Sequence, residues 1–352
     1  MAYTNIDDPS AYFQIALYAG NNSTQSITND GNSDLKPDFL WFKNRSETVS
    51  NTLWDSSRGI TKFLSSNSAA AELTNASGYE LKSFNTDGFG LGPHNNAGIN
   101  QSSSYNYVAW QWKATGGTTA SNTDGSLTST VQANQDAGFS ILTYTTADTN
   151  ETVGHGLGVT PDVIIIKRRD GSDVAWPVYF SFLTSTNKQA YLNQTNAIDS
   201  NNIDTVGAST YRVFGWPGTA AANADYVAYC FASKQGYSKF SSYKGNGNVD
   251  GPFVYTGFKP AWVMFKDITN ASSWWILDNK RNPSNLVNKL LSANANSTES
   301  TSTAYAACDF VSNGFKIRTT QAQTNQNGSS YVYMAFAENP FTTSTGIPAT
   351  AR

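Results

Sequence analysis

The chain carries two carboxylate–arginine pairs with the same spacing. Asp55 precedes Arg58 by three positions, and Asp278 precedes Arg281 by three positions. Two carboxylates that are distant in sequence can meet in one cleft and cleave glycosidic bonds. The same spacing also suits a loop ion pair, which contributes little to stability when it is exposed. We favour the ion pair, and we assign no catalytic residue.

The residues around these pairs recur once more without the pair. In that copy, Tyr179 and Phe182 take the positions of the aspartate and the arginine. Histidine adds little chemistry, because the chain has only His94 and His155. His155 lies in the glycine-rich segment 153–158, and no G-x-S-x-G motif supplies a serine nucleophile. We expect His155 to pack in a turn.

No pattern in the chain predicts a metal or a cofactor. The clusters of Asn, Asp and Gly do not reproduce a twelve-residue calcium loop that ends in glutamate, and such residues also serve tight turns. No glycine-rich phosphate loop follows a strand and opens a helix. Cys230 and Cys308 have no metal-ligand spacing, and we expect small buried residues there and no disulfide framework.

Three tryptophans, Trp54, Trp274 and Trp275, are the candidates for contact with a glycan. Exposed aromatic rings can stack on sugars, but rings also bury large areas in protein cores. Core packing is the favoured interpretation for the aromatic residues as a group. We retain these three side chains as the only candidate binding residues.

The most aromatic strand shows how such packing is organised. Side chains alternate between the two faces of a strand. The segment Tyr107–Trp112 therefore places Val108, Trp110 and Trp112 on one face. We expect this face to be buried.

Three proline-led segments organise the rest of the chain. Residues 37–43, 161–167 and 260–266 each begin with proline and end with lysine six positions later. Their apolar centres are too short for a helix and are bounded by turn-rich sequence. This pattern predicts strands that are buried on both faces.

Each proline-led strand belongs to a repeat of about 100 residues, the size of a complete antiparallel sandwich. We predict an all-β protein with three tandem antiparallel β-sandwich domains of jelly-roll-like fold. One large composite sandwich is the alternative. The predicted parts are an N-terminal arm (1–11), repeat 1 (12–113), a linker (114–137), repeat 2 (138–232), repeat 3 (237–341) and a C-terminal tail (342–352).

Composition narrows the function classes. The chain has 352 residues and a net charge of -3, which gives no electrostatic footprint for nucleic acid. Charged residues make up only 14% of the sequence, below the usual share of about 25%. No apolar run approaches the length of a membrane span, and the N-terminus lacks the features of a secretory signal. We expect no nucleic-acid partner and no membrane insertion.

The order of landmarks resembles a known but uncharacterised repeat domain of marine bacteriophage virion proteins, which include tail-fibre and structural proteins. The shared landmarks are a Y-x-G-N element, a P-D-x(4)-K strand, a W-x-x-x-D or W-x-V-Y strand, and a closing Y-V-A-W/Y-x-F/W-A strand. The resemblance covers residues 12–341. That family has no established catalytic residues, so none is carried over to this chain.

This resemblance implies a location on the exterior of a virus particle, at the tail or on the capsid surface. The expected function is a virion structural protein, a tail-fibre or tail-associated component that contributes to host-surface adhesion. The implied partners are other virion proteins, further copies of the chain with a trimer as one candidate, and a host-surface glycan. A capsid decoration protein and a polysaccharide-degrading tailspike enzyme are the alternatives. A tailspike normally requires a long parallel β-helix, and no short repeat that would build one is present.

Overall fold

The computed structural model describes residues 3–147, 150–171, 173–183, 188–199, 206–214, 223–301 and 307–350. The fold is all-β, and every sheet is antiparallel. Repeat 1 forms strands β1 (Phe13–Ala19), β2 (Gln25–Ile27), β3 (Phe39–Asn44), β4 (Thr52–Asp55), β5 (Lys62–Ser65), β6 (Leu73–Thr74), β7 (Leu81–Phe84), β8 (Phe89–Leu91) and β9 (Asn106–Trp112).

The linker and repeat 2 form the next group of strands. The linker contributes β10 (Ala120–Asn122) and β11 (Ser129–Asn134). Repeat 2 forms β12 (Phe139–Thr145), β13 (Asn150–Gly154), β14 (Val163–Arg168), β15 (Pro177–Phe180), β16 (Gln189–Tyr191), β17 (Thr210–Phe214) and β18 (Asp225–Phe231).

Repeat 3 completes the chain and carries one short helix, α1 (Ala322–Asn325). Its strands are β19 (Ser238–Lys244), β20 (Phe253–Tyr255), β21 (Phe258–Asp267), β22 (Trp275–Asp278), β23 (Lys289–Ser292), β24 (Ser300–Thr301), β25 (Cys308–Val311), β26 (Gly314–Ile317) and β27 (Ser330–Pro340). Within the described ranges, no helix has the length and apolar character to cross a membrane.

All three repeats build a large sheet in the same strand order. Repeat 1 has the order β1-β9-β3-β4-β5-β6, and repeat 3 has β19-β27-β21-β22-β23-β24. Repeat 2 has the corresponding order β12-β18-β14-β15-β16. In each repeat, the opening strand and the proline-led strand flank the closing strand. A smaller sheet accompanies each large one: β2-β8-β7, β13-β17 and β20-β26-β25.

Each large sheet packs against two different cores. One face meets residues of its own repeat, including those of its small sheet, in a separate hydrophobic cluster. The opposite faces of all three sheets meet in one shared core. The shared core contains Phe13, Trp110 and Trp112 of repeat 1, Phe139, Ile165 and Tyr229 of repeat 2, and Phe240, Trp262 and Phe336 of repeat 3.

The predicted alternation of the closing strand is confirmed. Val108, Trp110 and Trp112 lie in the shared core, and Tyr107 and Ala109 lie in the core of repeat 1 alone. The shared core makes the repeats dependent on one another, because each repeat buries one face of its large sheet only against the other two repeats. Three independent tandem sandwiches are therefore not established by this architecture.

The linker docks on repeat 2. The sequence predicted a linker over residues 114–137. In the structure, β10 and β11 pair with each other, and β11 pairs with residues 139–143 of β12. The large sheet of repeat 2 therefore has seven strands, against six in repeats 1 and 3.

The N-terminal arm also docks. From residue 3 onward it lies against the body, with Ile6 in the shared core. The Thr4 hydroxyl donates to the Gln235 carbonyl at 2.7 Å. The Asp7 carboxylate accepts the Ser344 backbone N–H at 2.6 Å, and so joins the arm to the C-terminal tail.

An aspartate in the proline-led motif ends the closing strand beside it. Asp38 accepts the Ala114 N–H at 2.7 Å, and Asp162 accepts the Ser233 N–H at 2.7 Å, just beyond β9 and β18. Repeat 3 has Ala261 at this position. Since Ala261 offers no acceptor, strand pairing continues, and β27 has eleven residues where β9 and β18 have seven.

Candidate functional site at the repeat junctions

Backbone pairing defines the equivalent positions of the three repeats. The equivalent cross-strand pairs are Phe39–Asp55, Val163–Phe180 and Trp262–Asp278. We name the contacts between repeats 1 and 2 the first junction, those between repeats 2 and 3 the second junction, and those between repeats 3 and 1 the third junction.

This register corrects one expectation from the sequence. Repeat 2 places Phe180 and Leu183, not Tyr179 and Phe182, where the other repeats have aspartate and arginine. Side chains alternate along a strand, so a shift of one residue changes the face. Phe180 lies in the shared core, and Tyr179 lies in the core of repeat 2.

The motif lysines Lys43, Lys167 and Lys266 are all buried. Each has the same geometry: its ammonium group donates to a loop of its own repeat and to a loop of a neighbouring repeat. The own-loop acceptors are the carbonyls of Val49, Val174 and Ser272, at 2.7, 2.6 and 2.8 Å. The acceptors across the junction are the carbonyls of Asn296, Ala69 and Thr195, at 2.9, 2.8 and 3.0 Å.

The three lysines therefore close a ring. Lys167 joins repeat 2 to repeat 1, Lys266 joins repeat 3 to repeat 2, and Lys43 joins repeat 1 to repeat 3. Burial lowers the pKa of Lys43 to about 7 and the pKa of Lys167 and Lys266 to about 8. An ammonium group offers three donors and no acceptor, which suits a pocket of backbone carbonyls.

A second donor crosses every junction in the same direction. Trp176 Nε1 donates to the Ser65 carbonyl at 3.1 Å in the first junction. Trp274 Nε1 donates to the Tyr191 carbonyl at 2.8 Å in the second. In the third, Asn51 Nδ2 takes this place and donates to the Ser292 carbonyl at 2.9 Å. Tryptophan in two junctions and asparagine in the third thus donate to the equivalent backbone carbonyl.

The carboxylate–arginine pair of repeat 1 lies in the first junction. Arg58 Nε donates to Asp55 at 2.6 Å, and both side chains are fully buried. Arg58 also contacts Glu72 at 2.9 Å. From repeat 2, the Tyr229 hydroxyl donates to Asp55 at 2.8 Å, and Arg169 pairs with Glu72 at 2.9 Å.

Electrostatics favour the charged forms of Arg58 and Glu72. Burial alone would lower the pKa of Arg58, but the carboxylates of Asp55 and Glu72 outweigh burial and raise it. Burial alone would raise the pKa of Glu72, but its hydrogen bond from Arg169 and its pairing with Arg58 lower it. Burial raises the pKa of Tyr229, so its hydroxyl remains a donor to Asp55.

The third junction repeats this network with other residues. Arg281 Nε donates to Asp278 at 2.6 Å, again with both side chains fully buried. Arg281 contacts Glu299 at 3.2 Å, and Arg45 of repeat 1 pairs with Glu299 at 2.8 Å. Trp110 Nε1 donates to Asp278 at 3.1 Å, which is the role that the Tyr229 hydroxyl has in the first junction.

The second junction has no such network among its described residues. Its equivalent positions carry the apolar side chains of Phe180, Leu183, Ile198, Ile268 and Met334, all in or against the shared core. One backbone bond is kept, from the Ile198 N–H to the Ile268 carbonyl at 3.1 Å. The same backbone bond runs from the Glu72 N–H to the Arg169 carbonyl at 2.8 Å in the first junction. In the third junction it runs from the Glu299 N–H to the Arg45 carbonyl at 2.9 Å.

This geometry leaves the carboxylate–arginine pairs without access to a substrate. A general acid or base must come within hydrogen-bonding reach of the group it protonates or deprotonates. Asp55 and Asp278 have no exposed surface, and they lie in different junctions. The ion-pair interpretation holds, but the pairs are buried and join repeats, whereas the sequence predicted an exposed pair within a loop.

The glycan-contact expectation fails for two of its three residues. Trp54 is fully buried and stacks on Phe63 with ring centroids 4.9 Å apart. Trp274 is buried in the shared core. Rings with no exposed face cannot stack on a sugar. Trp275 is half-buried and packs against the core of repeat 3.

The other residues considered for chemistry, His155, Cys230 and Cys308, are buried. His155 is buried; its Nε2 lies 3.1 Å from the Gly207 carbonyl, and its Nδ1 accepts the Leu157 N–H. Burial lowers its pKa, so the neutral ring holds the turn. Cys230 and Cys308 are buried free thiols. Across the described residues, no group of three or more histidine, cysteine or acidic side chains could hold a metal ion.

The third junction also contains an open groove of about 260 Å³. One wall is the outer edge of β1, with Phe13 and Ile15, and the opposite wall includes Asn279 and Lys280 of repeat 3. Asp30 lies at the rim and pairs with Lys280 at 2.7 Å; the Asp30 side chain is largely exposed and that of Lys280 partly exposed. This groove is open to solvent.

Sequence reasoning missed most of the junction partners. The fixed spacing of the motif lysines was a signal that these residues have a common role. Glu72, Glu299 and Asn51 gave no such signal, since each contacts residues more than 90 positions away. Their role depends on how the repeats pack, which no local pattern encodes.

The fold and its junctions define a protein of three like β-repeats joined around one core. The chain belongs to the family described as a domain of unknown function (DUF7483), whose model matches residues 8–340. The matched region spans all three repeats and the linker between repeats 1 and 2. No curated protein matches the chain, and no solved structure matches it.

Proposed function

We propose that this protein is a structural component of a virus particle, located on the exterior at the tail, where it contributes to host-surface adhesion. The proposal includes the absence of catalytic turnover. Its assignment to a virion comes from the resemblance of the repeat landmarks to bacteriophage virion proteins. Its assignment as a structural part comes from the junctions.

The observation that carries the structural role is the burial of both carboxylate–arginine pairs between repeats. These were the residues best suited to catalysis by type and spacing. The aspartate of each pair instead accepts a hydrogen bond across a junction, from Tyr229 or from Trp110, beside a motif lysine and a Trp or Asn donor. Residues used in this way hold three repeats in a fixed arrangement, which suits a component that must stay rigid outside the cell.

We further propose that each repeat is one copy of a β-sandwich unit. A large sheet and a small sheet enclose a separate core in every repeat, which supports a two-layer unit of sandwich type. The shared core then makes the three units one folding unit. Surface loops and the remaining sheet edges are the contact surfaces available to other virion proteins, to further copies of the chain, or to a host glycan.

Gold-labelled antibodies against the purified chain test the proposal on intact particles from cultures that carry the gene. We expect gold particles at the tail, and antibody absorbed with the purified chain is the control. Label confined to the head surface would favour a capsid decoration protein. Absence of the chain from purified particles, checked by mass spectrometry, would overturn the virion assignment.

The enzymatic alternative has its own test. Purified chain is incubated with host envelope polysaccharide, and new reducing ends are measured against a heat-denatured control. We expect no release. Reproducible release of oligosaccharide that is lost on denaturation would show a polysaccharide-degrading enzyme and contradict the structural role.

A further inference from the structure

The opening strand of repeat 1 has an unpaired edge. The Lys113 N–H donates to the Tyr12 carbonyl at 3.0 Å, and the Gly20 N–H donates to the Tyr105 carbonyl at 3.0 Å. In an antiparallel ladder, residues bonded to one neighbour alternate with residues whose polar groups face the other side. The even-numbered residues of β1 therefore bond to β9, and the odd-numbered residues face away from it.

These outward-facing residues are Phe13, Ile15 and Leu17. Within the described part of the chain, their backbone N–H and C=O groups have no hydrogen-bond partner. Phe13 and Ile15 line the 260 Å³ groove of the third junction, and Leu17 lines its continuation beside Asp30. A row of unpaired backbone groups along a strand edge is a template for another strand.

Repeat 2 shows what fills the equivalent edge. There, the outward-facing residues of β12 are paired with a strand, β11, that runs antiparallel to them. The pairs are Phe139–Asn134, Ile141–Gln132 and Thr143–Thr130. In addition, Gln132 Nε2 donates to the hydroxyls of Ser56 and Ser57 across the first junction, at 2.9 and 2.7 Å.

Repeat 3 closes its equivalent edge in another way. The Ser238 N–H donates to the Lys234 carbonyl at 2.9 Å, and the Phe240 N–H donates to the Ser233 hydroxyl at 3.1 Å. The short connection between repeats 2 and 3 thus caps β19. Of the three equivalent edges, the β1 edge is the one without a strand or a cap among the described residues.

We propose that the groove along β1 is a strand-acceptor site, which binds an extended segment of a partner polypeptide antiparallel to β1. Addition of a strand to a free sheet edge is a recurring mode of peptide recognition. The segment pairs with Phe13, Ile15 and Leu17 as β11 pairs with β12. It carries an amide side chain that reaches Asn279 and Lys280, the counterparts of Ser56 and Ser57.

Entry of such a segment requires only a small rearrangement. The Asp30–Lys280 ion pair spans the place that Gln132 bridges in the first junction. Its side chains are 72% and 39% exposed, and exposed pairs of this kind contribute about 0–1 kcal/mol. An incoming amide oxygen can accept from Lys280 in place of Asp30. The site is a property of the folded chain and does not depend on the proposed virion location.

The chain itself supplies the probe. A fluorescent peptide with the sequence of residues 126–135, which includes β11, is titrated into the full chain and followed by fluorescence anisotropy. We expect saturable binding with a Kd below about 1 mM. The control peptide carries Thr130→Pro, which removes one of the donors that would face β1. Loss of that bond weakens binding about tenfold.

Variants of the acceptor strand test the same contact from the other side. Leu17→Pro removes an outward N–H while leaving the bonds to β9 in place, and Leu17→Val keeps the N–H and serves as the control. We expect Leu17→Pro to weaken peptide binding at least about tenfold, because one pairing position and its neighbour are lost. Its folding is checked by denaturant titration. If this variant does not fold, the comparison between the wild-type peptide and the Thr130→Pro peptide tests the proposal.

Nuclear magnetic resonance locates the bound peptide. Shifts of the Phe13, Ile15 and Leu17 amides on titration support the proposal. Equal binding of the Thr130→Pro peptide, absence of saturation, or shifts confined to β12 or β19 would overturn it. Concentration-dependent shifts of the same amides without peptide would identify a second copy as the occupant, and would overturn the assignment to a partner segment.

Discussion

The first and second junctions join equivalent surfaces with opposite chemistry. In the first, Asp55, Arg58 and Glu72 form a buried ionic network with residues of repeat 2. In the second, the same positions carry Phe180 in the shared core and Leu183 and Ile198 packed against it. The strand register and the backbone bond between the repeats are nevertheless the same in both.

This difference separates what the architecture requires from what it tolerates. Every junction keeps a buried lysine that donates to carbonyls on both sides, a second donor from Trp or Asn, and one backbone bond. The ionic network is present in the first and third junctions and is replaced by apolar packing in the second. Well-packed apolar residues often substitute for a buried ion pair without loss of stability. The comparison predicts that the lysines are needed and that the complete network can be exchanged.

The largest expected effect comes from breaking a network without replacing it. Arg58→Leu leaves Asp55 and Glu72 buried with fewer cationic partners, and we expect a loss of about 3–5 kcal/mol in the free energy of unfolding. Denaturant titration followed by tryptophan fluorescence measures it. The control is Arg168→Leu, which removes a partly exposed pair with Asp170 and costs about 0–1 kcal/mol. Equal losses in the two variants would contradict a structural role for the network.

Replacing a motif lysine should cause the next largest loss of stability. Lys266→Met leaves the Thr195, Asp267 and Ser272 carbonyls without their shared donor. We expect a loss of about 1–3 kcal/mol, because buried acceptors are left unsatisfied. The matched control is Lys62→Met, whose ammonium group bonds an exposed Thr74 hydroxyl. A Lys266→Met protein as stable as this control would show that the ring of lysines is dispensable.

The buried lysines also predict a pH dependence. Burial lowers the pKa of Lys43 to about 7, whereas an unfolded lysine titrates near 10.4. Between these values the unfolded chain binds more protons, so the free energy of unfolding rises with pH. The slope reaches about 1.4 kcal/mol per pH unit for one lysine. Lys43→Met should have a smaller slope between pH 7 and about pH 9 when both proteins are denatured in parallel.

Above about pH 10, the trend should reverse. Burial raises the pKa of Tyr229 and Tyr144, so these side chains ionise in the unfolded chain first, which favours unfolding. A wild-type profile as flat between pH 7 and pH 9 as that of Lys43→Met would show that the lysine does not titrate differently in the folded protein.

The smallest expected change in the free energy of unfolding comes from the variant with the most substitutions. Replacing the first-junction network with the residues of the second should restore the stability that Arg58→Leu removes. We expect a free energy of unfolding within about 1 kcal/mol of wild type, measured by denaturant titration. The substitutions are Asp55→Phe, Arg58→Leu, Glu72→Ile, Arg169→Ile and Tyr229→Met. A loss as large as that of Arg58→Leu alone would show that the two junctions are not interchangeable.

Much of the fold could be predicted from local pattern. The three proline-led strands, the alternation of Val108, Trp110 and Trp112, and the all-β class follow from residue spacing alone, since strands place successive side chains on opposite faces. The junction partners could not be predicted in this way. Trp274 was a candidate for glycan contact because tryptophan suits both surfaces and cores, and only its position between repeats 2 and 3 decides between them.

The sequence by itself determined the threefold repetition, the strands and the fixed place of Lys43, Lys167 and Lys266. Tertiary structure decided that the repeats share one core, that both Asp–Arg pairs are buried joints, and that the β1 edge stays open where β12 is covered. The physical reason is the separation in sequence over which each effect acts. Strand periodicity acts between neighbours in the chain, whereas burial and partnership depend on contacts between residues far apart in sequence, such as Lys43 with Asn296.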